Sequence, residues 1–243
     1  MPQLEAKVAI VTGGGTGIGK GIARAFAREG ARLVLASRNQ ANLERTAREL
    51  GVDDDAVLVV PTDVTKEDQV ARLFEQTLEK FGRLDILVNN SGNFSGGPLD
   101  ELPLETWQKV VDVNLTAPFL CTREAMRIMK RQKGGRIVNI GSISAQMCRP
   151  NSAPYNATKH GLVGLTKSAA LEGRAFGIVV SCLHPGNVLT ERRAGSGRKT
   201  DEEPMMSVED IANAALAMVT LSPHVNMLES IVLPAEQLYL GRG

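Results

Sequence analysis

The feature that most constrains this chain is an alternation. Apolar, strand-like runs at 7–12, 32–36, 56–60, 84–89, 136–140, 178–183 and 228–233 are separated by longer segments of helical period. Parallel strands need a long crossover, usually a helix, and helices that cross over a sheet cover its faces. The expected fold is therefore α/β: a doubly wound, seven-stranded parallel sheet flanked by helices, in a single domain spanning 1–243. The segment 67–81 illustrates the helical period, with Val70, Leu73, Phe74, Thr77 and Leu78 on one stripe and Gly82 as its stop. The periodicity breaks only at 187–206, where Gly195, Ser196 and Gly197 stand among mixed charges. That segment reads as a mobile loop near a substrate or as a plain surface insertion.

Charge and cysteine usage narrow the class of function. Lysine and arginine total 28 against 27 acids, a formal net charge of +1. This lacks the basic excess that nucleic-acid binding draws on. No apolar run approaches membrane-spanning length, and Met1-Pro2-Gln3-Leu4-Glu5 has no basic, apolar leader, so the expected location is cytoplasmic. Cys121, Cys148 and Cys182 are odd in number and far apart, which suits packing cysteines and gives no metal or disulfide pattern.

The first strand runs into Thr12-Gly13-Gly14-Gly15-Thr16-Gly17-Ile18-Gly19 and then into an amphipathic segment, 20–29. Glycines there let backbone approach a pyrophosphate, and free N–H groups at a helix start attract its charge. The spacing Gly13-x-x-x-Gly17-x-Gly19 differs from the commoner G-x-G-x-x-G, so alone it also fits a turn without a ligand. After the second strand, Ala36-Ser37-Arg38-Asn39 lacks the acid that would bind adenosine ribose hydroxyls. Arg38, with Ser37 beside it, offers a cation to a 2′-phosphate, or is an ordinary solvated residue before a helix. At the third strand end, Asp63-Val64 could meet an adenine, or Asp63 could cap the next helix.

Tyr155 and Lys159 stand four apart in a helical segment, 153–176, and so share a face. An ammonium near a phenol favours the phenolate, so Lys159 is expected to lower the pKa of Tyr155. Ser142 follows the strand Gly135-Arg136-Ile137-Val138-Asn139-Ile140, at the sheet end where open α/β folds bind ligands. Its hydroxyl could hydrogen-bond a substrate oxygen while Tyr155 exchanges the proton.

With these motifs in order, the chain resembles the short-chain dehydrogenase/reductase family, a Rossmann-type fold, from Val8 to about residue 220, and within it the 3-oxoacyl-reductase-like, NADP(H)-using members. The family's glycine motif falls on Thr12 to Gly19, and its Asn-Asn-Ala-Gly on Asn89-Asn90-Ser91-Gly92, with serine for alanine. Its active-site asparagine falls on Asn114, its serine on Ser142, its Tyr-x-x-x-Lys on Tyr155 and Lys159, and its Pro-Gly on Pro185-Gly186. The resemblance implies an enzyme that moves hydride between NADP(H) and a carbonyl or secondary alcohol. It implies that Lys159 binds the nicotinamide ribose, that Asn114 helps hold a water leading from Lys159 to solvent, and that Pro185, Gly186, Val188 and Thr190 contact the nicotinamide. It also implies a homo-oligomer, expected as a tetramer through the helices near 103–131 and 153–176.

Several residues depart from the family pattern. The segment Ile231 to Leu240 replaces a glycine-rich tail, and the glycine turn carries no basic residue, leaving Arg38 to set the cofactor preference. His184 stands where asparagine is frequent and is expected to be a packed strand-end residue. Asn93, Phe94, Ser144, Gln146, Met147, Asn187 and the 190–206 loop are the expected substrate surroundings. The alternative function is a sensor that binds NADP(H) without turnover. A serine hydrolase is disfavoured because no Gly-x-Ser-x-Gly elbow is present.

Overall fold

The computed structural model describes residues 2–194 and 203–238. Its seven strands are β1 (Val8–Thr12), β2 (Arg32–Ser37), β3 (Val57–Pro61), β4 (Ile86–Asn89), β5 (Gly135–Ile140), β6 (Ile178–Pro185) and β7 (Glu229–Val232). All pair in parallel in the order β3-β2-β1-β4-β5-β6-β7. Each apolar run named in the sequence is a strand of this sheet, with ends shifted by at most two residues. The order reverses between β1 and β4, and a crevice opens there outside the carboxyl ends of the strands.

Eight helices complete the described fold: α1 (Gly17–Arg28), α2 (Gln40–Glu49), α3 (Glu67–Phe81), α4 (Leu104–Val111), α5 (Ala117–Gln132), α6 (Ala153–Gly173), α7 (Glu191–Ala194) and α8 (Val208–Thr220). Alternation along each strand divides the core in two. Ala9 and Val11 of β1 face Ile22 and Phe26 of α1 and Ile211 and Met218 of α8. Ile10 faces the other way, toward Leu73 and Phe74 of α3 and Met126 and Met129 of α5. The stripe expected on α3 is the one buried, with Leu78 only partly so, and Gly82 closes the helix in the left-handed region at φ 74°.

One feature lies at the crevice, and another closes the opposite end of the sheet. Between α4 and α5, Asp112–Thr116 forms a π-helical turn, a feature frequent at functional sites, and it carries Asn114. Arg136 at the foot of β5 donates to the carbonyls of Met218, Leu221, Ser222 and Val225, closing the end of α8 and the loop beyond it. Residues 195–202 and 239–243 lie outside the described residues, and with them the centre of the expected mobile loop and the end of the tail. No helix among the described residues is long and apolar enough to cross a membrane.

Candidate active site

The glycine-rich turn is shaped by close approach. Gly13 and Gly17 have φ of 66° and 53°, which favours glycine. Gly19 makes the tightest contact: a Cβ there would lie 2.4 Å from the Gly13 carbonyl oxygen and 2.4 Å from Asn90 Nδ2. It underlies the turn and is absent from the groove wall. The Asn89-Asn90-Ser91 segment braces the turn from β4. Asn90 Nδ2 donates to the carbonyl of Thr12 at 2.9 Å, and the amides of Asn90 and Ser91 donate to Thr12 Oγ1 at 2.9 and 3.2 Å. Asn89 turns inward and donates to Asn139 Oδ1 and Thr122 Oγ1, and Asn139 in turn donates to Thr166 Oγ1 of α6. A run of buried amides therefore locks the sheet to the helices behind the site.

A groove of about 410 Å³ opens above the turn. Gly13, Thr16, Gly17 and Ile18 form its floor, and Ser37 and Arg38 one end. Asp63 and Val64 stand beside them, Asn90, Ser91 and Gly92 line the middle, and Thr190 comes down from the loop after β6. Glu191 and Arg192, from the 190–206 loop expected around the substrate, also line it, as do Thr62 and Val113, which had not been singled out in the sequence. Asp63 does not cap α3, whose first turn starts after Lys66. Its carboxylate accepts from the amide and hydroxyl of Thr65. Burial pushes the pKa of Asp63 up, but the Thr65 hydrogen bonds and the Arg38 charge outweigh it and hold the carboxyl below its ordinary range.

The groove already receives an anion. Glu191 Oε2 accepts from the Gly17 amide at 2.9 Å, at the start of α1, and its other oxygen lies 3.9 Å from Lys20 Nζ. A carboxylate from the chain itself thus occupies the amide and dipole position that suits a phosphate oxygen, and the donor set fits a dinucleotide pyrophosphate.

Ser142, Tyr155 and Lys159 converge at the carboxyl end of β5, the first from the loop and the others from α6. Ser142 Oγ accepts from the Ser144 amide at 3.1 Å and stands near enough to the Tyr155 phenol to favour its ionised form. Lys159 is buried and donates to the carbonyl of Ile140 at 2.7 Å. Its ammonium lies over the Tyr155 ring, 5.5 Å from the centroid. The expectation that Lys159 lowers the pKa of Tyr155 needs correction for the protein alone. Burial pushes the phenol up, and the opposing influences are the Ser142 hydrogen bond and the charges of Arg149 and Arg192. Burial also depresses Lys159, to about 8.

Asn114 is buried, and its amide is committed: Oδ1 accepts from the Asn93 amide at 2.7 Å, and Nδ2 donates to the Asn93 carbonyl at 2.8 Å. It holds the loop after β4 against α6. Asn93 spends its own side chain on a turn, accepting from the amide and hydroxyl of Ser95. Among the other expected substrate neighbours, Ser144 is fully buried beneath Ser142, Gln146 is exposed and Met147 half-buried. Phe94 stacks on Tyr155, with centroids 4.9 Å apart.

Pro185, the last residue of β6, and Val188 beyond it are buried, and the Gly186 amide donates to the Val232 carbonyl at 2.8 Å. Asn187 is buried as well: Oδ1 accepts from Arg149 and Arg193, Nδ2 donates to Glu203, and its amide donates to Gln237 Oε1 at 2.8 Å. The C-terminal segment therefore reaches back to the site, a contact that Gln237 gave no sign of in the sequence. His184 is fully buried at the strand end, as expected. Its Nδ1 lies 3.0 Å from the Ser142 carbonyl oxygen, while Nε2 has no hydrogen-bond partner among the described residues and faces Glu229 at 3.6 Å.

A nucleotide-shaped groove at the sheet's crossover point, with a serine, tyrosine and lysine beside it, defines a dinucleotide-dependent oxidoreductase architecture. The short chain dehydrogenase family model matches residues 7–201, and the chain belongs to that family. It is 43% identical over 188 residues to a Bacillus subtilis (strain 168) protein named uncharacterized oxidoreductase YxjF, covering 77% of this chain and 73% of that one. It is 38% identical to the 3-oxoacyl-[acyl-carrier-protein] reductase of Synechocystis sp. (strain ATCC 27184 / PCC 6803 / Kazusa), over 79% and 78% of the two chains. The crystal structure of a 3-ketoacyl-(acyl-carrier-protein) reductase from Brucella melitensis complexed with NADH is similar throughout, with a TM-score of 0.87 at 34% identity. That match covers 94% of this chain and 97% of the other.

Proposed function

We propose that this chain is a cytosolic, homotetrameric NADP(H)-dependent oxidoreductase that interconverts a carbonyl compound and its secondary alcohol. The observation that carries the reading is the junction of Ser142, Tyr155 and Lys159 beside the groove floored by Gly13 and Gly17. Bound nicotinamide supplies or accepts the hydride. Tyr155 exchanges the proton with the substrate oxygen, and Ser142 orients both that oxygen and the phenol. Lys159 binds the nicotinamide ribose and carries the proton onward, and Asn114 keeps the loop over it in place. Pro185, Gly186, Val188 and Thr190 position the nicotinamide, while Arg38, unopposed by any acid at Ser37, favours a 2′-phosphate.

The relatives named as 3-oxoacyl or 3-ketoacyl reductases favour ketone reduction as the direction. A cavity of about 240 Å³ between α5 and α6, lined by Phe119, Met126 and Leu165, lies on the helices expected to meet a second subunit. The buried lysine, held at the Ile140 carbonyl with its ammonium over the Tyr155 ring, favours turnover over passive NADP(H) sensing. The test is loss of reduced-nicotinamide absorbance across a panel of ketones. Turnover that disappears in Tyr155→Phe is expected; binding of NADPH without turnover of any ketone would leave the sensor as the better reading.

A further inference from the structure

Tyr155 is walled by cations. Phe94 stacks on its ring at an interplanar angle of 27°, and the guanidinium of Arg192 lies over the Phe94 ring, 4.0 Å from that centroid. Arg149 is brought near by the start of α6, its main chain clamped to Asn156, the residue after Tyr155. The Arg149 amide donates to Asn156 Oδ1, and Asn156 Nδ2 donates to the Arg149 carbonyl at 2.8 Å. Its guanidinium donates to Asn187 Oδ1 at 3.3 Å, in the loop that leads into α7, the helix that carries Arg192. Both arginines are exposed, yet both charges reach the phenol strongly enough to oppose the effect of its burial.

Among the described residues, the nearby acids are engaged elsewhere. Glu191 is turned to the Gly17 amide and Lys20, and Glu203 accepts from Asn187 Nδ2 at 2.6 Å. Among the described residues neither Arg149 nor Arg192 makes an ion pair. Two guanidiniums flanking one proton donor, in a chain whose overall charge is only +1, form a local concentration of positive charge. Arginine presents a planar fork that suits a carboxylate or phosphate.

We propose that Arg149 and Arg192 form an anion subsite beside the Tyr155 hydroxyl, and that the carbonyl substrate carries its own carboxylate or phosphate within a few bonds of the reacting carbon. This rests on the oxidoreductase reading above and adds the substrate class to it. The two guanidiniums grip the anion and leave the carbonyl oxygen to Ser142 and Tyr155, so the charged end orients the reacting end.

The test uses matched pairs at fixed ionic strength: acetoacetate against ethyl acetoacetate, and dihydroxyacetone phosphate against dihydroxyacetone. The proposal expects kcat/KM to favour the anionic member of at least one pair by roughly tenfold or more, and the preferred pair distinguishes carboxylate from phosphate. In the double variant Arg149→Ala, Arg192→Ala that ratio should fall toward unity, while Arg149→Lys should keep part of it. Equal use of both members, or a ratio unchanged in the double variant, would overturn the subsite. Turnover confined to uncharged ketones would overturn it too, leaving the oxidoreductase reading intact. No turnover of any ketone or alcohol would overturn that reading and the subsite together.

Discussion

The turn below the groove and the loop above it face the same space but are built on opposite plans. The turn, Thr12 to Gly19, works through its backbone: Gly13 and Gly17 adopt left-handed conformations, and Gly19 admits the Gly13 carbonyl where a Cβ would stand. The loop after β6 works through long side chains. Asn187 is held by Arg149, Arg193, Glu203 and Gln237, and Glu191 reaches down to the Gly17 amide. A backbone site must exclude side chains, which leaves glycines at fixed spacing in one short stretch. A side-chain site draws on residues up to 174 positions apart, and nothing in their local pattern announces that they meet.

The largest effect should come from adding one methyl group to the turn. Gly19→Ala places a Cβ in hard contact with backbone, an overpacking cost of roughly 1–3 kcal/mol. NADPH affinity measured by fluorescence should collapse and the thermal midpoint should drop. An unchanged melt with unchanged affinity would mean the turn is not the rigid element described.

Lys159 sharpens the comparison because it serves the groove from a buried position. With its pKa near 8, kcat/KM for NADPH, which reports the free enzyme, should fall as pH rises through about 8 and the ammonium loses its charge. Lys159→Ala should lower cofactor affinity and turnover together. A flat profile between neutrality and pH ~9 would remove the ribose contact from its role.

Arg38→Ala comes next. It should reduce NADPH efficiency by about 1.5–3 kcal/mol, roughly ten- to a hundredfold, and leave NADH little changed. Equal losses with both cofactors, or a parent that already prefers NADH, would remove the NADP(H) preference.

Gln237→Ala should be the mildest change. It deletes one hydrogen bond to the Asn187 amide, worth about 1 kcal/mol. A severalfold rise in KM for the cofactor with nearly constant kcat would tie the C-terminal segment to the nicotinamide loop. A fall in kcat alone would place Gln237 closer to the chemistry.

The same contrast explains what could be read from the residues. All seven strands were legible because a fully buried parallel sheet forces long apolar runs bounded by turns. The Tyr155–Lys159 pair was legible because helical spacing alone puts both on one face. Asp63 was open between an adenine contact and a helix cap because an acid before a helix suits either; the structure removes the cap, turns the carboxylate to Thr65 and leaves the residue in the groove wall. The direction of the Tyr155 shift was misjudged because burial comes from the whole fold, while the Lys159 neighbour is visible locally. Asn93 and Ser144 were placed near the substrate by position. Only tertiary packing shows that the first spends its amide oxygen on Ser95 and the second is buried.

The most direct measurement follows deuterium from NADPH carrying two deuterons at the reduced C4 into the alcohol product, in the parent protein and in Tyr155→Phe. Transfer should be stoichiometric with NADPH consumed by the parent. In the variant it should be at least ~100-fold slower, with NADPH affinity nearly unchanged, because only the proton-donating hydroxyl is gone. Undiminished transfer in Tyr155→Phe, or NADPH oxidation by the parent with no label in the product, would contradict the assignment of Tyr155 and the hydride reaction built on it.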